Sequence, residues 1–345
     1  MKITDLDFRT VSVPFLSDLV ENWPTEAFYN FGMTKPDYPM TMIWFHTDEG
    51  ITGVTESMAM DEKRMEEMKA QYVGRDVWDI DLDDEWVTVQ CAIYDIRGQA
   101  LGVPIHKLLG TQCRDRVELV YWSPPMTPEA TAAEAERAAK LGFRGHKLKA
   151  RSWTIVKIAE LTAKRCGPDF KLRVDPNTQF NDLPTAVSLA RELLPYNIEV
   201  YEDPIPFADA SWYRQLRAKC EPPVARHFGS PRDVFLYLHA EAIDAFNTGG
   251  NVTTVRKNAA LAEAAGIPIW TQIFAFGSSV GTMFIAHLTS TIANCTMPLD
   301  ELPHVKVDNL AEEGFEMRDG AVMVPDRPGL GVTVNMKAVE KYRIR

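Results

Sequence analysis

No run of apolar residues in this 345-residue chain approaches the roughly 20 needed to cross a bilayer, so no membrane partner is expected. Positive charge is short as well: 37 Lys and Arg stand against 48 Asp and Glu, a formal net charge of -11. A nucleic-acid footprint needs clustered Lys and Arg to neutralise phosphates, and that partner class is set aside too. Cysteine is scarce. The five residues Cys91, Cys113, Cys166, Cys220 and Cys295 are scattered, odd in number and without metal-type spacing. Such usage fits reduced thiols in a cytoplasmic protein. Residues 1–7 lack the basic and apolar regions of a secretory signal, which adds to the cytoplasmic expectation.

What remains is an ordinary globular composition, 46% hydrophobic and 25% charged, in a chain long enough for one large domain with or without a small one. The first segment reads as a small α+β domain. Residues 2–13 and 41–47 have strand character, and Asp48-Glu49-Gly50 supplies the turn before a hairpin partner at 51–56. Between the first two strands, residues 17–38 are rich in Pro, Asn and aromatics (Trp23, Phe28, Tyr29, Phe31, Tyr38) and have no clear period. A stretch of that kind forms a functional lid or a disordered loop. Residues 62–109 read as mainly helical.

From residue 117 short β-rich runs alternate with amphipathic helical runs. The spacing predicts strands at 117–122, 146–149, 171–175, 199–202, 224–227, 242–247, 267–272 and 295–300. Pro128, Pro184 and Pro231 fall near helix starts, where a missing N–H costs least. Eight strands with helices between them read as a (β/α) barrel. A doubly wound open sheet is the alternative, but no Gly-rich phosphate loop follows the first strand. The turn-rich tail at 320–332 could return to the first domain and close it.

A barrel places its working groups at the C-terminal ends of its strands. Ionisable and polar residues recur there: Lys147 and Lys149, Asp175 and Asn177, Glu202 and Asp203, Arg226 and His227, Asp244 and Asn247, Gln272, then Asp300 and Glu301. Lys147 and Lys149, two apart on a strand, point to one side. In a barrel lumen their mutual repulsion and desolvation lower a lysine pKa and create a base; the alternative is a solvent-facing loop. Asp175 and Glu202, on adjacent strands, suit a hard divalent ion such as Mg²⁺. Each could instead cap a helix or pair with a cation.

The chain resembles the enolase superfamily in its mandelate racemase and muconate lactonising enzyme branch. The resemblance spans nearly the whole chain and is most specific over residues 92–110. It continues through Gly142-Phe143, Lys147-Leu148-Lys149, Asp175-Pro176-Asn177, Tyr201-Glu202-Asp203-Pro204, Gly249-Gly250 and the ending at 324–331. It implies a modified (β/α)7β barrel at 116–310, an α+β capping domain at 1–115 and a tail at 311–345 that completes the cap. It implies Lys149 as base, Lys147 as assisting cation, and Asp175 and Glu202 as two of three Mg²⁺ ligands. A proton α to a carboxylate is weakly acidic, so cations must absorb the second negative charge as it develops. By family position Glu56 and Ser57 are candidate substrate contacts; Asn177, Asp203, Arg226, Asn247, Glu301 and the lid residue Trp23 are further candidates. A solvated turn is the alternative for Glu56 and Ser57. For the lid aromatics it is a place in the cap core.

Three departures shape the expectation. The third metal position, normally an acid, matches His227, a softer ligand that would weaken Mg²⁺ or favour Mn²⁺ or another divalent ion. Alternatively His227 binds no metal and Arg226 supplies the positive charge. Asp244 matches the Asp of a racemase Asp–His pair, but its partner position holds Gln272, which cannot exchange a proton. On the eighth strand either Asp300 or Glu301 could touch substrate, or both are loop acids. With one secure base, the expected reaction is dehydration of a sugar acid or related hydroxy acid to a 2-keto acid. A one-base cycloisomerase, or another isomerase or racemase acting on a carboxylate, is the alternative. A catalytically weakened binding protein is the alternative of another class. The resemblance also implies a small-molecule carboxylate partner and a homo-oligomer.

Overall fold

In the computed structural model, which describes residues 1–23, 38–206 and 209–345, apolar residues line both faces of the N-terminal sheet. This sheet is β1 (Ile3–Val11), β2 (Met40–Thr47) and β3 (Thr52–Met58), antiparallel in the order β1-β2-β3. Side chains alternate along a strand. Ile43 and Phe45 of β2 therefore enter one cluster with Leu6 and Tyr72, while Met40 and Met42 enter the larger core shared with the barrel. Part of the stretch expected to be irregular is a short helix, α1 (Ser17–Glu21), whose Asp18 accepts from Arg137 at 2.9 Å. Phe28, Tyr29 and Phe31 of the expected lid lie outside the described residues. The cap continues with α2 (Glu62–Tyr72), α3 (Val87–Leu101) and α4 (Ile105–Leu109).

The strand expected at 117–122 divides in two, β4 (Arg116–Glu118) and β5 (Tyr121–Ser123). The order then runs α5 (Pro128–Lys140), β6 (Gly145–Lys149), α6 (Ile155–Cys166), β7 (Lys171–Asp175), α7 (Leu183–Glu192) and β8 (Ile198–Glu202). It continues α8 (Ala210–Arg217), β9 (Val224–Phe228), α9 (Pro231–His239), β10 (Ala245–Thr248), α10 (Val252–Ala265), β11 (Ile269–Thr271) and α11 (Ser279–Thr289). Pro128, Pro184 and Pro231 stand in the first turns of α5, α7 and α9. Side chains of Thr127, Asp182, Asp209 and Asn251 cap α5, α7, α8 and α10.

Strands β5 to β11 form one parallel sheet in sequence order. The expected eighth strand shrinks to a parallel bridge between Leu119 and Leu299. It suffices to close the ring: Val120 N–H donates to the Leu299 carbonyl at 2.9 Å, and Asp300 N–H to that of Thr271 at 3.1 Å.

The tail comprises β12 (Ala311–Glu313), β13 (Met317–Arg318), β14 (Ala321–Met323), β15 (Thr333–Val334) and α12 (Met336–Lys341). It pairs β14 with β4 and runs back to β1, where the Thr10 N–H donates to the Arg345 carbonyl at 2.9 Å. Asp95 of α3 fastens the three parts. Its carboxylate accepts from Val54 N–H of β3 at 3.0 Å and from Leu330 N–H of the tail at 2.8 Å. Helix α11 is buried at all eleven positions, wedged between the barrel and the cap elements α4 and β3.

The backbones of α3 and the tail approach so closely that a Cβ on Gly98 would lie 2.8 Å from Gly329 Cα. A rigid backbone cannot yield as a flexible side chain does. Gly98→Ala is therefore expected to cost about 1–3 kcal/mol, read as a lower midpoint in urea denaturation; an unchanged midpoint would contradict this packing.

Candidate active site

Strand parity decides which side chains meet inside the ring. Lys149 pairs with Asp175 across β6 and β7, and Lys147 with Arg173. All four side chains are almost fully buried, with exposures of 4%, 1%, 1% and 0% respectively. Lys147 Nζ lies 2.6 Å from Asp300 Oδ2, 2.8 Å from Glu202 Oε2 and 3.1 Å from Asp175 Oδ2. Lys149 Nζ lies 2.5 Å from the same Asp175 oxygen. Asn247 Nδ2 adds contacts to Gln272 Oε1 at 3.1 Å, Asp300 Oδ2 at 3.2 Å and Glu202 Oε1 at 3.3 Å. The sequence reading did not place Arg173 and Trp270 here. Arg173 donates to Glu199 at 2.9 Å and to the Pro298 carbonyl at 3.0 Å, with its guanidinium 4.3 Å from the Trp270 ring centroid. Trp270 Nε1 donates to Asp300 at 3.2 Å. Both share the parity of named residues, 173 with 175 and 270 with 272, and that was the available signal.

Their surroundings set the two lysines apart. Burial pushes Lys147 down, but Asp300, Glu202 and Asp175 outweigh it and hold the ammonium well above its ordinary range. Burial also lowers Lys149, and Asp175 does not fully offset burial and the repulsion of Lys147. One lysine is thus a fixed cation and the other is inclined to be a base. Glu202 is pushed up to about 7 by burial against the pull of Lys147, whereas Asp175 is held low by both lysines despite its burial. Titratable neighbours pushed in opposite directions are the usual mark of acid–base division.

Several expected site residues are placed elsewhere. Asp244 precedes β10 rather than ending it. Its carboxylate accepts from Arg217 Nε at 2.6 Å and from Val224 N–H, at the start of β9, at 2.9 Å. It belongs to the N-terminal rim and has no place in the lysine cluster. Arg226 turns its guanidinium onto Phe228 and Tyr237, 4.8 and 4.4 Å from their centroids, so it supplies no charge to the lumen. Glu56 is buried and accepts from Ser278 N–H at 2.9 Å and from the Ser278 hydroxyl, which clasps the cap to α11 rather than leaving a free contact.

Of the other expected contacts, Asn177 and Asp203 adjoin the cluster, and Ser57 and Trp23 lie on the cap side. Asn177, at φ +47°, donates its N–H to Asp175 at 2.9 Å, and Asp203, at φ +44°, accepts from His227 N–H at 3.1 Å. Ser57 and Glu56 line a cavity of about 350 Å³ between cap and barrel, with Met40, Met58, Trp86 and Phe274. Trp23 packs on Phe15 and Trp122, with centroids 5.2 and 6.3 Å apart. Of the two eighth-strand acids, Asp300 meets Lys147, while Glu301 accepts from the N–H groups of Ile273 and Phe274 at 2.7 and 3.1 Å.

A closed parallel barrel under an α+β cap, with a lysine pair buried against acids from three other strands, defines a capped-barrel enzyme class. The chain belongs to the enolase superfamily, in the mandelate racemase and muconate lactonising branch: residues 130–338 match the family model "Enolase C-terminal domain-like". It is 27% identical to D-gluconate dehydratase of Thermoproteus tenax over 74% of this chain, and spans about half of that longer protein (55%). It is 26% identical to L-Ala-D/L-Glu epimerase of Bacillus subtilis over 71% of this chain and 69% of that one. The solved N-succinyl Arg/Lys racemase of Bacillus cereus superposes with a TM-score of 0.84 at 21% identity, covering 100% of this chain and 99% of the other, and shows the fold.

Superfamily members typically use Mg²⁺. The residues of this chain do not fit such an ion as expected from Asp175, Glu202 and His227. Mg²⁺ demands a near-octahedral set of oxygens, and among the described residues no three His, Cys, Asp or Glu side chains converge as a metal set. The oxygens of Asp175 and Glu202 turn to the Lys147 ammonium instead. A dication about 4 Å from that ammonium would meet repulsion of about 8 kcal/mol at an effective dielectric of about 20.

Burial pushes Glu301 up to about 8, so the folded protein keeps a proton that the unfolded chain releases near its ordinary value. Its effect on stability is therefore absent in acid and becomes a growing penalty as pH rises from about 4.5 through 8. Glu301→Gln keeps an acceptor for the two N–H groups and removes the titration. The variant's melting temperature is expected to gain on wild type between about pH 5 and pH 9; parallel profiles in calorimetry would refute it.

Proposed function

We propose that the protein removes the proton α to the carboxylate of a small-molecule acid, with Lys149 as base, and that its reaction is dehydration of a sugar acid or related hydroxy acid to a 2-keto acid. The supporting observation is the division between the lysines, one fixed as cation and one lowered toward a base within the same buried cluster. The kinship with D-gluconate dehydratase supports the substrate class. Neutral Lys149 Nζ takes the α-proton, and the C–H electron pair forms a carbon–carbon double bond while the carboxylate gains a second negative charge. The Lys147 ammonium faces that charge, and a substrate oxygen must displace one of its three carboxylate partners to reach it. The β-hydroxyl departs as water with the proton returned by Lys149 on the same face, and the resulting enol tautomerises to the 2-keto acid. Gln272 carries no exchangeable acid proton, and Asp244 is at the other rim, so a second base on the opposite face has no candidate among these residues.

One observation favours a second reading. The cavity between cap and barrel is lined largely by Met40, Met58, Met60, Trp86 and Phe274, which suits an apolar substituent and hence a one-base isomerase acting on such an acid.

Both readings predict α-proton exchange in deuterium oxide, followed by NMR across a panel of sugar acids and N-acyl amino acids. Lys149→Ala is expected to slow exchange about 10²- to 10⁴-fold. The wild-type rate should rise with pH along a limb below the ordinary lysine range, because only the neutral amine accepts the proton. Keto-acid release identifies the lyase, and exchange without it the isomerase. Exchange undiminished in Lys149→Ala would remove Lys149 from the role, and no exchange on any acid would favour a binding protein.

A further inference from the structure

Where related enzymes hold a divalent ion, two features of this chain point to a different arrangement. An ammonium has three N–H groups, and Lys147 has three carboxylate oxygens within 3.1 Å, one each from Asp300, Glu202 and Asp175. The contact with Asp300 is a hydrogen bond, and the oxygens of the two expected metal ligands lie beside the ammonium as ion pairs. Finally, the next two strand ends send no acid inward. On β9, Arg226 stacks on aromatic rings, and the residue after it is His227 rather than an acid. After β10 comes Gly249, where even a Cβ would lie 2.8 Å from the Gln272 carbonyl oxygen and 3.4 Å from His227 Nε2. That corner is too tight for a carboxylate-bearing side chain.

We propose that the Lys147 ammonium takes the place of the divalent cation, and that this protein binds no divalent ion at the mouth of its barrel. The buried lysine supplies the fixed positive charge that a metal supplies elsewhere, ion-paired with the same two carboxylates. The inference concerns the resting protein and holds whether the site works as a lyase, an isomerase or a binding site.

The test titrates the metal-stripped full-length protein with Mn²⁺ and follows free Mn²⁺ by its electron paramagnetic resonance signal. Wild type is expected to leave the ion free up to about 1 mM. Lys147→Gln removes the ammonium and exposes Asp175 and Glu202 to the solution. It is expected to bind Mn²⁺ at least about tenfold more tightly than wild type, and to lose that binding when Asp175→Asn is added. Circular dichroism confirms that the variants are folded. Micromolar binding by wild type that disappears in Asp175→Asn would overturn the proposal, and this arm needs no Lys147 variant to fold. A folded Lys147→Gln that binds no more Mn²⁺ than wild type would also overturn the place given to Lys147. Because the readout is metal binding, its failure is separate from any failure of the reaction assigned to Lys149.

Discussion

A lysine at 1% exposure cannot stay charged without anions around it, and the interior of this barrel is arranged to meet that demand. Asp300, Glu202 and Asp175 reach Lys147 from three different strand ends, and each in turn needs the others' cations. Asp300 is the most heavily used, accepting from Lys147, Asn247 and Trp270 on one oxygen while Arg173 lies 3.5 Å from the other. The ring closes at Leu299, one residue before Asp300, so the weakest segment of the barrel wall also carries its central anion. Closure and charge balance thus depend on each other.

The same balance separates the two lysines. Repulsion alone treats them alike, so the Lys-x-Lys spacing by itself does not say which of the two is lowered. The asymmetry comes from three-dimensional partners: three carboxylates lie within 3.1 Å of Lys147, whereas Lys149 shares the Asp175 oxygen with it. A pattern of two residues on one strand cannot carry that information. It depends on what the third, fourth and eighth strand positions of the ring present at the same height.

Much of the architecture was legible because periodicity and turn chemistry are local. The alternating runs, the prolines at helix starts and the three-stranded cap sheet follow from short-range rules, and Lys147, Lys149, Asp175 and Glu202 followed from strand parity. Errors arose where a boundary set the answer. Starting the sixth strand at residue 242 made Asp244 seem close to its working end, whereas β10 begins at Ala245 and Asp244 binds Arg217 at the other rim. Arg226 and His227 are neighbours on one strand, so they face opposite ways; the aromatic pair Phe228 and Tyr237 behind β9 decides that the guanidinium goes outward. Glu56 looked like a hairpin-end acid because its partner, Ser278, is 222 residues away.

Cap, barrel and tail are not interchangeable parts. The Glu56 carboxylate ends on Ser278, Asp95 holds Val54 and Leu330 at once, and the Gly98 backbone leaves no space beside Gly329. A chimera that exchanged the first hundred residues for those of a cousin would have to bring α11 and the closing tail with it. Recombination breakpoints between cap and barrel are thus disfavoured. New substrate preferences in this lineage are more readily reached by point substitutions along the lining of the cap–barrel cavity.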